Sequence, residues 1–395
     1  MTRLLLSLLA LGTALAAVLL SRPKAPEAPG IAEARIRDAN LEFYAARADR
    51  DPRGSLDLAR LSALFNDRAR ATGNLVDLLE AERTARRSLG NRRDNPPALR
   101  ALAASLLGQH RFEEARVCAE RLIALDPDDI AARALKAEIL MELGHYAEAR
   151  LAFESLVPHS ELLPVAPRLA KWSELTGDPG SARALLRRAR ATASRTYGVT
   201  AGSLAWFDLQ LGALALRHGR LDEAGRNLAR GLLLTPDDPR LLEVSAQVEA
   251  ARGRWSVVER LVHDALGAGG TDPGLLLLLA DVAHARRQFR LEDSLTARAE
   301  AAALAVPGPV HRDVALGLLD RRRAIAEILS RAEAELDLRQ DVYGWEVYAW
   351  ALRAAGREEP ARLAMQRALE LGTTDPRLLA HAAALGVRVG SGHGL

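Results

Sequence analysis

Apolar residues recur along this chain at three- and four-residue steps, the helical period, and no useful length of strand-like alternation interrupts them. LAASLLGQHRFEEARVCAERLIALDPDD, around Ala115, holds one apolar helical segment, a short break and a second such segment. ALKAEILMELGHYAEARLAFESLV, around Ala149, and LQLGALALRHGRLDEAGRNLARGLLLTPDD, around Ala224, follow the same plan. Gly144, Gly177, Gly219, Gly253 and Gly356 stand in the breaks, five residues before the small position. Glycine there predicts a helix C-terminus that enters the left-handed region. Asp126-Pro127-Asp128-Asp129 and Thr235-Pro236-Asp237-Asp238 close their units. Proline stops the second helix, and the aspartates suit the start of the next.

The small positions Ala81, Ala115, Ala149, Ala182, Ala224, Val258, Glu292, Ala326 and Ala361 lie 34, 34, 33, 42, 34, 34, 34 and 35 residues apart. A fixed interval of this size describes a stack of identical helix pairs, each burying its apolar face on its neighbours. The small residue belongs where the second helix of a pair crosses the first. Phe112, Tyr146, Leu221, Trp255 and Phe289, three residues earlier, are expected to fill the space beside the turn.

The unit resembles the tetratricopeptide repeat, a 34-residue helix–turn–helix, with Leu211-Gly212, Gly219, Leu221, Ala224 and Pro236 on the family positions. The resemblance implies an all-α fold: an α-solenoid of about eight to nine repeats forming a right-handed superhelix. It also implies a curved rod that binds partners on its inner surface. Three units depart from the pattern. The one around Glu292 lacks the small residue and has Arg287 in its break; the one around Ala326 has Arg321 there and a thin first helix, HRDVALGLLD. The first unit carries extra residues in LFNDRARATGNLVDLL, and the 42-residue interval places an insertion near ASRTYGVTAGS, a longer loop or a bend.

The ends complete the organisation. Residues 1–24 read as a signal peptide or membrane anchor, 25–50 as a Pro-rich linker and capping helix, 51–372 as the solenoid, and 373–395 as a capping helix and tail. Leu4 to Leu20 carry no charge; as a helix they span about 25 Å, slightly short of the roughly 30 Å bilayer core. Cleavage at Ala14-Leu15-Ala16 would release the protein, and retention would tether it facing the periplasm or extracytoplasmic space; both remain open. Capping helices are expected at 31–48 and from Asp375-Pro376 to about Val387.

Charge adds little. The net +3 comes from Arg3, Arg22 and Lys24, because the rest has 54 − 3 = 51 basic residues against 51 acidic ones. The basic stripe that nucleic acid requires is missing, so no nucleic-acid partner is expected. Cys118 is the only cysteine, so no intramolecular disulfide forms. No HExxH, phosphate-binding glycine loop, nucleophile elbow or CxxC occurs. Asp281 and His284, three apart, share a helix face without a visible third ligand. No catalytic residue, metal or cofactor is expected.

The resemblance implies that the first helix of each unit lines a concave groove. That face would present Arg100, Glu138, Lys171, Gln210, Gln247, Asp281, His284 and Trp350, with Tyr343 and Trp206 one turn nearer the helix starts. Aromatic side chains beside mixed charges suit a protein or peptide partner, though Trp206, Trp345 and Trp350 could instead pack between repeats. The family's clamp for a C-terminal carboxylate needs Lys and Asn where this chain has Leu135, Glu138, Leu209 and Ala213, so no such clamp is expected. The expectation is a non-catalytic interaction scaffold at the cell envelope. The alternative is an enzyme or small-ligand binder with its site in the groove.

The helix crossing can be tested directly. Ala149→Trp should cost about 1–3 kcal/mol or more in a urea melt, while Glu148→Trp on the outer side should be nearly neutral. Equal losses would mean that the helices are paired wrongly.

Overall fold

The computed structural model describes residues 27–267 and 271–388. Among these, all regular structure is helical. Twenty α-helices follow one another: α1 (Pro29–Arg50), α2 (Ser55–Thr72), α3 (Leu75–Asn91), α4 (Pro96–Gly108), α5 (Phe112–Leu125), α6 (Ile130–Leu143), α7 (Tyr146–Leu156), α8 (Ala166–Leu175), α9 (Pro179–Ala193) and α10 (Ala201–Arg217) form the first half. The second half is α11 (Leu221–Leu234), α12 (Pro239–Ala251), α13 (Trp255–Leu266), α14 (Pro273–Ala285), α15 (Phe289–Ala305), α16 (Arg312–Asp320), α17 (Ile325–Leu336), α18 (Val342–Ala354), α19 (Glu358–Ala368) and α20 (Pro376–Ala384). From α2 onward they pack as consecutive pairs, with α1 and α20 single at the ends. The helix total exceeds what eight or nine repeats supply, because of these two terminal helices. The apolar leader lies outside the described residues, among which no helix is long and apolar enough to cross a membrane.

Local chemistry explains the boundaries. Gly144, Gly177, Gly219, Gly253 and Gly356 all adopt positive φ between the two helices of a pair, where glycine avoids the Cβ clash. Aspartates cap the starts of first helices: Asp129 Oδ1 accepts from Ala132 N at 3.0 Å, Asp238 from Arg240 N at 3.0 Å and Asp272 from Leu275 N at 2.9 Å. These caps satisfy amides that the helix leaves free. The crossing positions Ala81, Ala115, Ala149, Ala224, Val258 and Ala361 are fully buried, and Ala182 nearly so.

Two units correct the sequence reading. In α16/α17 the turn is longer, with Arg322 and Ala324 both at positive φ, and the crossing falls on the buried Ile328 while Ala326 is exposed. In α14/α15 the turn residue is Arg287 at φ 60°, and Glu292 is half-buried with its carboxylate 3.0 Å from His284 Nδ1. Phe289 beside it is exposed and does not fill the turn space.

The larger correction concerns shape. The stack does not present an open inner face, because its curvature brings the ninth pair back to the third and fourth. One apolar cluster joins Leu140, Phe153, Leu169 and Leu186 to Val342, Leu352, Met365 and Leu378. Gln340 N donates to Leu143 O at 3.1 Å, and the Arg339 guanidinium lies over the Phe112 ring at 5.5 Å. A Cβ on Gly144 would sit 2.5 Å from Gln340 O, and one on Gly177 would sit 2.5 Å from Gly372 O. At the other end, α1 packs Leu41 and Ala48 on Leu58, Leu61 and Leu64 of α2. Its N-terminal half then reaches α10, where Glu33 accepts from Ala201 N at 2.6 Å and Gly202 N at 3.2 Å. A carboxylate at a helix N-terminus is favoured by the exposed amides and the macrodipole.

Self-contact separates two classes of turn glycine. Gly219→Ala, with nothing near its Cβ, should cost about 1–2 kcal/mol for the left-handed backbone alone. Gly144→Ala and Gly177→Ala meet backbone carbonyls as well and should lose clearly more in the same urea melts. Three equal losses would show that these turns do not touch their distant partners in solution.

Candidate functional site

Behind α1 the inner helices enclose a chamber of about 1190 Å³. Helices α2, α6, α8 and α10 supply its wall, Arg312 and Tyr343 bring in the C-terminal pairs, and Gly30 to Asn40 of α1 run along it. The wall divides by chemistry. Ile31, Ile36, Leu163, Val199, Trp206 and Phe207 are among its apolar or aromatic residues, while ion pairs hold several of its charged side chains in place. Arg168 Nε donates to Glu138 at 2.8 Å, and the Arg217 guanidinium grips Glu174 through two bonds of 2.7 and 2.8 Å. Lys171 donates to Glu142, and Arg312 donates to Glu346 at 2.6 Å and reaches Asp375 at 3.3 Å.

Lys171 and Arg312 stay charged. Burial opposes the charge on Lys171, but the Glu142 and Glu138 carboxylates outweigh it and raise the ammonium's pKa. Burial likewise opposes Arg312, and Glu346 and Asp375 raise it. Lys171 lies deep in the molecule and yet keeps 42% of its side-chain surface accessible; that surface faces the chamber. Charges placed in a recess need partners or water, and here most have a carboxylate in reach.

Of the ten residues that the sequence points to, Glu138, Lys171, Trp206, Gln210 and Tyr343 line the chamber. The other five are held elsewhere. Arg100 pairs with Asp129, Gln247 donates to Glu243 at 3.4 Å, and Asp281 pairs with Arg321. His284 meets Glu292, so Asp281 and His284 do not form a joint site. Trp350 is fixed between repeats: its ring stacks on His381 at 3.9 Å, its Nε1 donates to Asp320 at 2.7 Å, and Arg353 lies 4.4 Å from its centroid. Arg217 was overlooked although it follows Gln210 by two helical turns on the same face. The α1 residues had no such signal, since their place depends on where the helix points.

No group of three His, Cys, Asp or Glu side chains suitable for a metal ion occurs among the described residues. The closest approach to an acid–base constellation is Glu346 with His381 Nδ1 at 2.9 Å and Arg312, but Glu346 is fully buried and His381 lies under Trp350. It ties α20 to α18, and of its three residues only Arg312 lines the chamber.

Residues 76–139 and 106–160 match the family model described as tetratricopeptide repeat. Residues 76–160 therefore carry tetratricopeptide repeats, with the subfamily unspecified. No curated protein matches it in sequence. Among solved structures it is similar to the Cut9–Hcn1 hetero-tetramer of the APC/C, at 14% identity and TM-score 0.46, covering 78% of this chain and 59% of that one. PilW, a type IV pilus biogenesis factor, is 20% identical with TM-score 0.43, covering 53% of this chain and 92% of that one. The human IFIT1 dimer with m7Gppp-AAAA is 15% identical with TM-score 0.46, covering 75% and 68%.

One carboxyl of the inner helices is set for a pH effect. Burial, with Asp272 and Asp313 nearby, pushes Glu243 up to about 7. The folded state therefore holds a proton that the unfolded chain releases at lower pH, so stability falls as pH rises from about 4.5 to 7. Glu243→Gln should remove a decline on the order of 1–3 kcal/mol between pH 5 and pH 8, read from urea melts at both values. A decline unchanged in the variant would assign it to other groups.

Proposed function

We propose that this protein is a non-catalytic scaffold that holds a protein or peptide segment in the chamber, exported and tethered at the cell envelope by its leader. The observation that carries the reading is the lining of the chamber. Trp206, Phe207 and Ile36 offer apolar contact beside ion pairs already fixed by the fold. Such a surface is preorganised, so a ligand does not have to pay for ordering it, and aromatic anchors in a recess concentrate binding energy. The tether follows from the uncharged Leu4–Leu20 stretch and the Pro-rich segment after it.

A second reading has one observation in its favour. Because α1 roofs the inner face, the space is bounded like a small-molecule pocket, somewhat above the usual size of roughly 300–1,000 Å³. A small organic ligand would then occupy it.

A photo-crosslinking residue at Gln210, inside, and another at Arg188, on the outer helix α9, separate the readings in intact cells. A discrete protein adduct from position 210 alone, lost with Trp206→Ala, is expected. Native mass spectrometry showing a small molecule that leaves with Trp206→Ala, and no protein adduct, would overturn the scaffold in favour of the second reading. No adduct and no bound mass would refute both.

A further inference from the structure

On the outer side of the molecule a second cavity, of about 570 Å³, opens between α9 and α11 above Leu211. None of its lining residues lines the chamber. Helix α9 sends Arg183, Arg187 and Arg190 into it at i, i+4 and i+7, and α11 faces them with Arg226 and Arg230. Like charges at such spacings weaken a helix, so this arrangement costs stability unless an anion compensates it.

The protein compensates only part. Asp208 of α10, fully buried at the floor, takes Arg190 at 3.1 and 3.2 Å and Arg230 at 2.8 Å. Glu223 takes Arg183 at 3.2 Å. Arg187 and Arg226 make no ion pair or hydrogen bond among the described residues. Five arginines against two carboxylates leave 5 − 2 = +3 in one recess. Asn227 also lines the cavity; its Oδ1 accepts from Arg230 at 3.0 Å, which leaves its Nδ2 open to donate to whatever enters.

We infer that this cavity binds a multiply charged phosphate-type oxyanion. Guanidinium forks match phosphate oxygens in pairs. Asp208 fixes two of the arginines so that their geometry is set in advance, and the amide of Asn227 supplies a neutral donor at the floor. The surplus charge is confined to a single recess rather than drawn out along a stripe. It therefore fits one phosphate or diphosphate group, not a nucleic-acid backbone. A free phosphate compound and an anionic lipid headgroup present the same chemistry.

Calorimetric titration of the full chain with pyrophosphate at fixed ionic strength tests the site, alongside an Arg187→Gln/Arg226→Gln variant. Both side chains are exposed, so the variant should keep its helical circular dichroism. Binding weakened at least tenfold in the variant supports the site with a soluble ligand. Co-sedimentation with phosphatidylglycerol vesicles that falls in the variant, the leader being common to both proteins, supports it with a headgroup as the source. No variant-dependent difference with either probe overturns it.

Discussion

The close crossing of two helices at a small residue is the contact on which the other features depend. Ala115, Ala149, Ala224 and Ala361 are buried without a trace of accessible surface, and in two other pairs Val258 and Ile328 fill the same place. Because the crossing recurs at nearly constant spacing, each pair adds a similar rotation, and small rotations accumulate into curvature. After six further pairs the turn at Gly144 meets the Gln340 carbonyl. Neither turn carries a residue that would look like an interface by itself. The contact exists because many identical crossings have set the angle.

That closure changes what the inner face can be. In an open solenoid, a lysine such as Lys171 would stand in bulk water and its partner would matter little. Here Lys171, Arg168, Arg217 and Arg312 face a partly open recess, and each has a carboxylate in hydrogen-bond reach. The pairs are costly to desolvate and costlier to break, so they fix the chamber wall more than they add to stability. Helix α1 completes the enclosure by joining the first pair to the fifth, held at one end by apolar packing and at the other by Glu33 on the α10 amides.

The repeat could be read from the sequence because its causes are local. A glycine at positive φ, an aspartate cap and an alanine at a crossing each act within a few residues, so their spacing survives in the chain. Where the local pattern failed, tertiary packing had taken over: Ile328 replaced Ala326 because the preceding turn is longer, and Glu292 found His284 instead of packing flat. Half of the proposed groove residues line the chamber because helical phase tells which face points inward. Trp350, which the sequence left open between groove and packing, takes the second place for the opposite reason. Its helix face does point inward, but α20 covers it with His381, and the path of a terminal helix leaves no mark in periodicity. The same holds for α1.

The position of Ile36 shows why the chamber reads as a place of contact rather than as leftover space. It lines the chamber from α1 and is 62% exposed, although the helix that carries it is pinned at both ends. A large aliphatic side chain left in water forgoes roughly 1.5–3 kcal/mol that burial would return, and a single exposed one would need no explanation. Here it faces a recess shared with the partly buried Trp206, with the buried Phe207 at its wall. An apolar surface inside a recess gains more from a fitted ligand than the same surface on an outer helix, since the wall already supplies part of the cover. The ion pairs around it are already satisfied, so a segment entering the chamber would meet apolar surface in want of cover and charges that need no rearrangement.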